Sequence, residues 1–485
     1  MPPSQAPGPL RFFLLQYYLF LAREFDPSLY GVGPARFFRS MFTASLAATP
    51  FLLAFTAYYS FRAGLPFLAA LAWLPLLVSL AAPRVWRSVV GYQVDQELPA
   101  LLTYMLPFTY SNLHIADVLM GVRAVGEFPW AAREAERLRV LVELAQDPHG
   151  SLKTLASTTP SRRLRLTLED YVHAQTLGAG RAQLTLTLFR RALDAVRDSW
   201  RSHVDFARLV AEGMAALAVA LVAVTPVAVL GGAGGVVSIL AWLPVVAAPA
   251  GAVVILLNRP ELGEFRPPLV VRVMALQAPF AAAALALTVS LEAGIAWLLG
   301  WALPVELANW AVGGRAELAE RELRRAVDEA RLGIPPVERL KAAEELAGGV
   351  LRAILKSARV AGMTGVWEAL SLVYTLVGEA RSLAGSARTQ GLMMSLILAA
   401  IPALSVFTLK MIAAAVAEGG GAASALGFNL RDIAAEAERT ARIIVAASPL
   451  IPLPAAVLHR GWTPSPIPPL LAIILATLTL YRGGV

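Results

Sequence analysis

The stretch LVVRVMALQAPFAAAALALTVSLEAGIAWLLGWALPVE, residues 269–306, decides how this chain is threaded. Residues 269–288 are apolar over the length that a helix needs to cross a bilayer, which is about 20 residues. Residues 293–306 form a second, shorter apolar run after a predicted turn that contains Glu292. Two helices return the chain to the side where it started, whereas one bent helix leaves it on the opposite side. We expect two helices.

The composition is that of an integral membrane protein. Of the 485 residues, 57% are hydrophobic and 16% are charged, and the mean hydropathy is +0.61. Soluble domains average about 25% charged residues. The net charge of +8 does not indicate nucleic acid, because excess Lys and Arg in a membrane protein usually belong to cytoplasmic loops. The absence of cysteine excludes disulfides, thiolate zinc sites and thiol catalysis.

Hydrophobic runs predict nine transmembrane helices, interrupted by two long polar stretches whose 3.6-residue periodicity predicts helical domains. A short amphipathic helix, residues 11–25, precedes them. The predicted spans are 41–60, 65–83, 210–230, 236–257, 269–288, 293–306, 391–409, 441–458 and 467–481. The expected fold is an all-α polytopic membrane protein with two cytoplasmic helical-bundle domains. Its segments are 1–83 (N-terminal helix and two spans), 84–208 (first polar domain), 209–306 (four spans), 307–390 (second polar domain) and 391–485 (three spans).

Charge predicts the orientation of these spans. Four spans lie between the two polar stretches, so both stretches face the same side. When that side is the cytoplasm, all but six of the 42 Lys and Arg residues lie inside, as the positive-inside rule favours. We therefore expect a multi-pass protein of the cytoplasmic membrane with its N-terminus inside and its C-terminus outside.

Residues 158–178, TTPSRRLRLTLEDYVHAQTLG, predict a capped helix with a charged face inside the first polar stretch. We expect Thr159 to cap this helix and Pro160 to occupy its first turn. The spacing predicts one apolar face and one charged face. The apolar face contains Leu164, Leu168, Tyr171 and Val172, and the charged face contains Arg162, Arg165 and Glu169.

The two polar stretches resemble each other. NLHIADVL (112–119) aligns with GIPPVERL (333–340), and LRLTLEDYVHAQTLG (164–178) aligns with LRAILKSARVAGMTG (351–365). In the first polar stretch the two aligned segments begin at Asn112 and Leu164, 52 positions apart. In the second they begin at Gly333 and Leu351, 18 positions apart, so the first stretch is longer by 34 residues between these points. Each stretch then runs into a predicted span. This order predicts an internal duplication.

Four segments carry a resemblance to a known family: ELPALLTYMLPFTYSNLHIADVL, TTPSRRLRLTLEDYVHAQTLG, VLRAILKSARVAGMTGVWEALSLV and RTQGLMMSLILAAIPALSVFTLKMI. With the layout of spans and polar domains, they resemble the membrane platform proteins of type II secretion and type IV pilus machines, in their archaeal form. The resemblance covers most of residues 84–415. The chain departs from the family near Ser111 and Asn112, where the first copy lacks the expected small residue or glycine.

That resemblance implies a scaffold without enzymatic activity at the base of a filament. A cytoplasmic hexameric ATPase would drive it, pilin-like subunits would assemble on it, and it would form a homodimer in membrane lipid. The filament could be a pilus, an archaellum or a secretion pseudopilus, and the sequence leaves these alternatives open.

Arginines in the polar stretches are the candidate motor contacts, because a guanidinium donates two parallel hydrogen bonds to a carboxylate. The alternative is that these side chains are only solvated, enforce topology or bind lipid headgroups. The candidates are Arg162, Arg163, Arg165, Arg321, Arg324, Arg325 and Arg352.

Catalytic and transport functions find little support in the sequence. It contains no HExxH, no GxxxxGK[ST] phosphate loop and no GxSxG nucleophile motif, so we expect no enzyme, no cofactor and no metal. A transporter or permease with large cytoplasmic domains is the alternative function. Transport of ions needs ionisable groups at mid-membrane depth. The candidates Glu212, Arg272, Glu292 and Lys410 fall in turns or near the ends of predicted spans.

Overall fold

A computed structural model of the chain describes residues 74–111, 113–178, 180–230, 247–260, 262, 269–362, 368–418, 430–461 and 463–482. Across these residues the structure is helical, with no strand, which confirms the all-α class. The predicted helix 11–25, the span 41–60 and residues 65–73 of the span 65–83 lie outside the described residues. The same holds for the first half of the span 236–257.

Long and short α-helices alternate along the chain, and two single-turn 3₁₀ helices, Val122–Ala124 and Ser448–Leu450, connect some of them. The α-helices are α1 (Leu74–Tyr110), α2 (Ile115–Gly121), α3 (Ala131–Ala145), α4 (Pro148–Thr158), α5 (Arg162–Thr176), α6 (Arg181–Leu230), α7 (Ala247–Leu257), α8 (Leu269–Thr288), α9 (Leu291–Arg331), α10 (Val337–Leu346), α11 (Gly349–Gly362), α12 (Glu368–Glu418), α13 (Leu430–Ala447), α14 (Leu453–Arg460) and α15 (Ile467–Arg482).

The chain divides into two compact units. The first unit contains the described parts of Met1–Leu101 and Asn112–Leu188, and the second contains Leu102–Ser111 and the described parts of Phe189–Val485. Helices α2 to α5 therefore belong to the first unit, and α7 to α15 belong to the second.

Residues 269–306 form two helices, as the sequence predicted. Helix α8 ends at Thr288 and α9 begins at Leu291. The Ser290 hydroxyl accepts the Ala293 N–H at 3.1 Å, which caps α9. Where the two helices cross, a Cβ on Gly294 would lie 2.8 Å from the Ala282 carbonyl oxygen. Only glycine permits so close an approach, so this residue fixes the packing of the helix pair.

Four helices in the described residues are long and apolar enough to cross a membrane: Leu269–Thr288, Leu291–Arg331, Glu368–Ala415 and Ala437–Arg460. Ala247–Leu257 and Ile467–Tyr481 are shorter apolar helices. These helices are compatible with a membrane location. The span predicted at 441–458 is not a regular helix, because Pro449 lies in a 3₁₀ turn between α13 and α14 and proline has no N–H to continue the helical hydrogen bonds.

Three helices continue without a break from a charged segment into an apolar one. Helices α6, α9 and α12 contain 50, 41 and 51 residues, so α12 alone is about 75 Å long. The sequence placed domain boundaries at residues 83/84, 208/209, 306/307 and 390/391. The first falls inside α1, and each of the other three falls inside one of these long helices. The change in polarity therefore marks a change of surroundings and not an end of the helix.

Polar contacts lie at both ends of the helix bundle in the second unit. At one end His459 Nδ1 lies 2.8 Å from the Arg388 carbonyl oxygen, Arg259 Nη1 donates to the Val457 carbonyl at 2.7 Å, and Asn309 Nδ2 donates to the Thr463 carbonyl at 3.2 Å. At the other end the Tyr481 hydroxyl donates to Glu292 Oε1 at 3.3 Å, and the Lys410 ammonium donates to the Leu480 carbonyl. The apolar parts of α8, α9 and α12, the consecutive pair α13–α14, and α15 therefore alternate in direction between these two ends, whereas α10 and α11 lie in the charged part of the unit.

Candidate partner-binding surface

Ser161, and not Thr159, caps helix α5. The Ser161 hydroxyl accepts the Leu164 N–H at 2.9 Å, whereas Thr159 ends the preceding helix α4. Pro160 lies between the two helices and not in the first turn of α5. The prediction for Thr159 was wrong because the sequence offers two capping hydroxyls in succession. The Thr159 hydroxyl instead accepts the Ser161 N–H at 3.4 Å within the turn.

The two faces predicted for α5 are present for five of their seven residues. Leu164, Leu168 and Tyr171 are buried, and Arg162 and Glu169 are exposed. Val172 of the apolar face and Arg165 of the charged face are both half-buried. The Tyr171 ring packs edge-on against the His114 ring, with 6.2 Å between the ring centres. The apolar face therefore anchors α5 in the first unit and leaves the charged face at the surface.

Arg163 and Arg165 take part in contacts within the first unit. The Arg163 N–H donates to Asp95 Oδ1 at 3.3 Å, and Arg165 Nη2 donates to the Thr159 carbonyl at 3.1 Å. Both side chains are half-buried. Arg162 is the exposed member of the group, so among these three it is the one best placed to meet a partner.

Asp95 on α1 holds the start of α5 in place. Its carboxylate accepts hydrogen bonds from the Ser161 hydroxyl and from the Arg163 N–H. Burial raises the pKa of the Asp95 carboxyl above its ordinary value, although these hydrogen bonds and the Arg163 charge act in the opposite direction. One turn earlier, a Cβ on Gly91 would lie 2.6 Å from the Pro160 carbonyl oxygen. Helix α1 and the α4–α5 turn are therefore packed backbone to backbone.

Glu97 performs the same task for helix α3. Its side chain is 3% exposed, and its carboxylate accepts the Trp130 N–H at 3.1 Å and the Ala131 N–H at 2.7 Å. The Arg133 guanidinium lies 4.4 Å from the centre of the Trp130 ring. A carboxylate is favourable at a helix N-terminus, where backbone N–H groups lack partners and the helix dipole is positive. Helix α1 thus caps two helices of the first unit with two carboxylates.

The candidate arginines of α9 and α11 are all exposed. Arg325 pairs with Glu322 at 2.6 Å, and Arg321 pairs weakly with Glu317 at 3.9 Å. Within the described residues, Arg324 and Arg352 form no ion pair. These two side chains are therefore the candidates of the second unit with the most freedom to bind a partner.

Arg339 on α10 was not among the candidates, although it joins two helices. Its Nε donates to Glu329 at 2.9 Å and its Nη1 to Glu322 at 3.3 Å, and both acids lie on α9.

The Gly333 backbone between the two helices has a φ of +75°. The Ile334 N–H donates to the Glu329 carbonyl and the Gly333 N–H to the Ala330 carbonyl, both at 3.0 Å, as in a Schellman motif.

The seven candidate arginines do not belong to one compact unit. Arg162, Arg163 and Arg165 lie in the first unit, and the four arginines of α9 and α11 lie in the second. Each group is therefore described within its own unit.

Ion pairs connect the three long helices in the charged part of the second unit. Arg197 on α6 pairs with Glu379 on α12 at 2.8 Å, and Arg381 on α12 pairs with Glu320 on α9. The buried Trp200 donates from its indole Nε1 to the Leu262 carbonyl at 3.2 Å. These contacts tie together the helices that enter the apolar bundle.

Across the described ranges, no group of three or more His, Asp or Glu side chains could hold a metal ion. Comparisons of the chain with protein-family models, with curated proteins and with solved structures found no match.

Proposed function

We propose that this protein is a membrane platform, without enzymatic activity, that couples a cytoplasmic hexameric ATPase to the assembly of pilin-like subunits into a filament. The observation that carries the proposal is the continuity of α6, α9 and α12 from charged segments into apolar ones. A continuous helix transmits a displacement along its length, whereas a flexible linker would absorb it. A machine that moves membrane subunits by a motor on the cytoplasmic side needs such a connection.

The ion pairs between these helices support the same function. Arg197–Glu379 and Glu320–Arg381 join α6 to α12 and α12 to α9 outside the apolar segments. A force applied to the charged part of one helix would therefore reach all three. The motor would bind the charged domains, and its hydrolysis cycle would move the apolar helices on which the subunits assemble.

The proposed topology places both polar domains in the cytoplasm and the C-terminus outside, with nine spans in the whole chain. The alternation of the apolar parts of α8, α9 and α12, of α13–α14 and of α15 between two ends of the bundle supports this arrangement. Arg259, Arg388 and Arg460 lie at the end that we assign to the cytoplasm, where the positive-inside rule favours arginine.

We further propose that the two polar domains arose by duplication. The spacing from the start of α5 to the start of α6 equals the spacing from the start of α11 to the start of α12. The ends of α1 and α9, Tyr110 and Arg331, also fall at paired positions of the alignment. Helices α3 and α4 then account for the additional residues of the first copy.

The motor contact is proposed for the exposed arginines of the two polar domains, above all Arg162, Arg324 and Arg352. Acidic side chains on the motor would accept hydrogen bonds from these guanidinium groups. A homodimer in the membrane would present two copies of each surface to the motor.

Co-purification tests the proposal. The tagged protein, purified from solubilised membranes, should carry with it a cytoplasmic assembly ATPase and pilin-like subunits. The protein purified without these partners should not hydrolyse ATP. Retention of a solute-binding protein, or ATP-independent solute uptake by reconstituted vesicles, would support a transporter and contradict the platform.

A further inference from the structure

One short segment of the second unit is bonded to three other parts of the helix bundle. It consists of residues 457–461, which end α14, and residues 463–465, which lead to α15, and it is called the α14–α15 connection below. Arg259, which follows α7, donates from Nη1 to the Val457 carbonyl at 2.7 Å and to the Leu458 carbonyl at 3.4 Å. Its side chain is buried. Because these carbonyls belong to the last turn of a helix, the guanidinium gives them partners and holds the connection in place.

Helix α9 is bonded to the connection by two side chains that lie one turn apart. The Asn309 amide donates to the Thr463 carbonyl at 3.2 Å and accepts from the Thr463 hydroxyl. The Ser465 hydroxyl donates to Glu306 at 2.5 Å. Pro304 lies inside α9 just before these residues, and a helix bends most easily where a proline removes one of its hydrogen bonds. The connection therefore holds α9 next to the turn where its own hydrogen bonds are incomplete.

Helix α12 meets the same connection through its backbone. His459 Nδ1 lies 2.8 Å from the Arg388 carbonyl oxygen. One turn further along α12, a Cβ on Gly391 would lie 2.8 Å from the His459 Cα, so only glycine permits this approach of the two backbones. Arg388 is the last charged residue of α12 before Lys410. The connection therefore holds α12 where its charged part ends.

Cavities lie between α9 and α12 on both sides of the connection. One of about 490 Å³ lies beside their charged parts and is lined by Glu320 of α9 and Val377 of α12. Another of about 950 Å³ lies at the far end of their apolar parts and is lined by Leu291 of α9 and Leu409 of α12. The two helices therefore have space on both sides of the connection in which their separation can change.

From this arrangement we infer that the α14–α15 connection is a pivot for α9 and α12. It fixes both helices at the level where each changes from charged to apolar, and they extend beyond that level by about 20–40 Å on each side. A stiff rod that is held at one point along its length moves in opposite directions at its two ends. Spreading of the charged parts should therefore bring the apolar parts closer together. The inference concerns this chain alone and holds whether or not the protein is a platform.

Two pairs of spin labels measure this movement in the full-length protein in detergent. The chain contains no cysteine, so introduced cysteines are labelled without background. Arg324→Cys with Thr375→Cys reports the distance between the charged parts of α9 and α12. Ala296→Cys with Leu404→Cys reports the distance between their apolar parts. All four sites are exposed, and double electron–electron resonance gives both distances.

Glu320→Arg supplies the displacement. It replaces the ion pair with Arg381 by repulsion between two guanidinium groups, which pushes the charged parts apart. We expect the charged-part distance to increase by about 2 Å, the size of helix shifts between packed states, and the apolar-part distance to decrease.

Two variants connect this behaviour to the pivot. Ser465→Ala removes the hydrogen bond to Glu306, and Asn309→Leu removes both bonds to Thr463. In either background Glu320→Arg should still separate the charged parts, but the apolar-part distance should no longer decrease. Ser371→Ala is the matched control and should behave as the unmodified chain, because the Ser371 hydroxyl donates to the Glu368 carbonyl within α12.

Size-exclusion profiles and circular dichroism establish that the variants are folded, and Ser465→Ala alone decides the test if Asn309→Leu does not fold. An increase in both distances, or a charged-part increase with no apolar-part change, would overturn the inference. Opposite changes that persist in the connection variants would overturn it too, because the movement would then not depend on the connection. A charged-part distance that Glu320→Arg leaves unchanged would show that the helices do not turn about this level, which also contradicts a pivot. None of these results depends on a motor or on filaments.

Discussion

Glu320 on α9 and Arg381 on α12 form an ion pair between two helices that each continue into an apolar segment. Both side chains are about one-third exposed, so water weakens their attraction without removing it. The pair connects helices of 41 and 51 residues. A local contact between two side chains thus joins long elements of the second unit.

Reversing one member of this pair should lower stability, and reversing both should restore it. We expect Glu320→Arg or Arg381→Glu alone to cost about 1 kcal/mol, since partly exposed pairs contribute up to about that amount. The double variant should recover most of the loss, giving a coupling energy of at least about 0.5 kcal/mol. Unfolding of the four proteins in detergent measures the cycle. Additive losses in the double variant would mean that the pair contributes nothing.

Substitutions of Asp95 should lower the stability of the first unit. Asp95→Ala leaves the Ser161 hydroxyl and the Arg163 N–H without their acceptor, which should cost about 1–2 kcal/mol. Asp95→Asn keeps one acceptor oxygen and removes the partly buried charge, so it should cost less. Exposed Asp117→Asn is the control.

Because burial raises the pKa of Asp95, the folded protein binds this proton more tightly than the unfolded chain does. The stability that the proton contributes is present at low pH and is lost as the pH rises through the folded-state pKa. Relative to Asp95→Asn, the wild-type protein should therefore become more stable as the pH falls from about 7 to about 4. A relative loss of stability over that range would contradict the assignment.

The arginines of α5 should separate into a binding role and a structural role. Arg162→Glu should weaken retention of the motor ATPase in a pull-down and change stability by less than about 0.5 kcal/mol. Arg165→Glu should cost about 1–2 kcal/mol, because its hydrogen bond to the Thr159 carbonyl is lost. Lys153→Glu, an exposed change on α4, controls for surface charge. Normal motor retention by Arg162→Glu would exclude this face of α5 as the contact.

Reporter fusions test the orientation. Fusions near residues 150 and 345 should both report the cytoplasm, because four spans are predicted between the two polar domains. A fusion at the C-terminus should report the outside. The prediction depends on α8 and α9 both crossing the membrane. If only one of them did, the fusion near residue 345 would report the outside. Opposite signals at 150 and 345 would contradict the proposed topology.

The sequence predicted those features of the fold that depend on local hydrophobicity. The bounds of α8 and the separation of α8 from α9 followed from the apolar runs. Glu292 was predicted in the turn between them, but it lies in the first turn of α9, because Ser290 caps that helix one residue before Leu291. The continuity of α9 past residue 306 did not, because a change in polarity was taken as a boundary. Helix α9 also continues through Gly313 and Gly314. The end of the apolar run therefore did not predict the end of the helix.

Tertiary contacts explain what the sequence could not provide about the candidate surface. Glu97 caps α3 from 34 residues away, and no local pattern links an acid on one helix to the start of another. The choice of Ser161 over Thr159 as the cap is coupled to the distant Asp95. The burial of Arg165 likewise depends on how the α4–α5 turn packs, which periodicity does not describe.

The central claim is that continuous helices carry the motion of a motor into the membrane, and an insertion in α12 tests it most directly. Four residues, Gly-Ser-Gly-Ser, are inserted after Gly385, whose Cβ position is open space and which precedes the apolar segment. The same four residues inserted after Gly178, between α5 and α6, are the control, because exposed loops tolerate insertions. Membrane-fraction blots, motor pull-downs and filament counts by electron microscopy are measured for both proteins. The account predicts that the α12 insertion leaves membrane insertion and motor binding intact and abolishes filaments, while the control retains them. Normal filament numbers with the α12 insertion would contradict it.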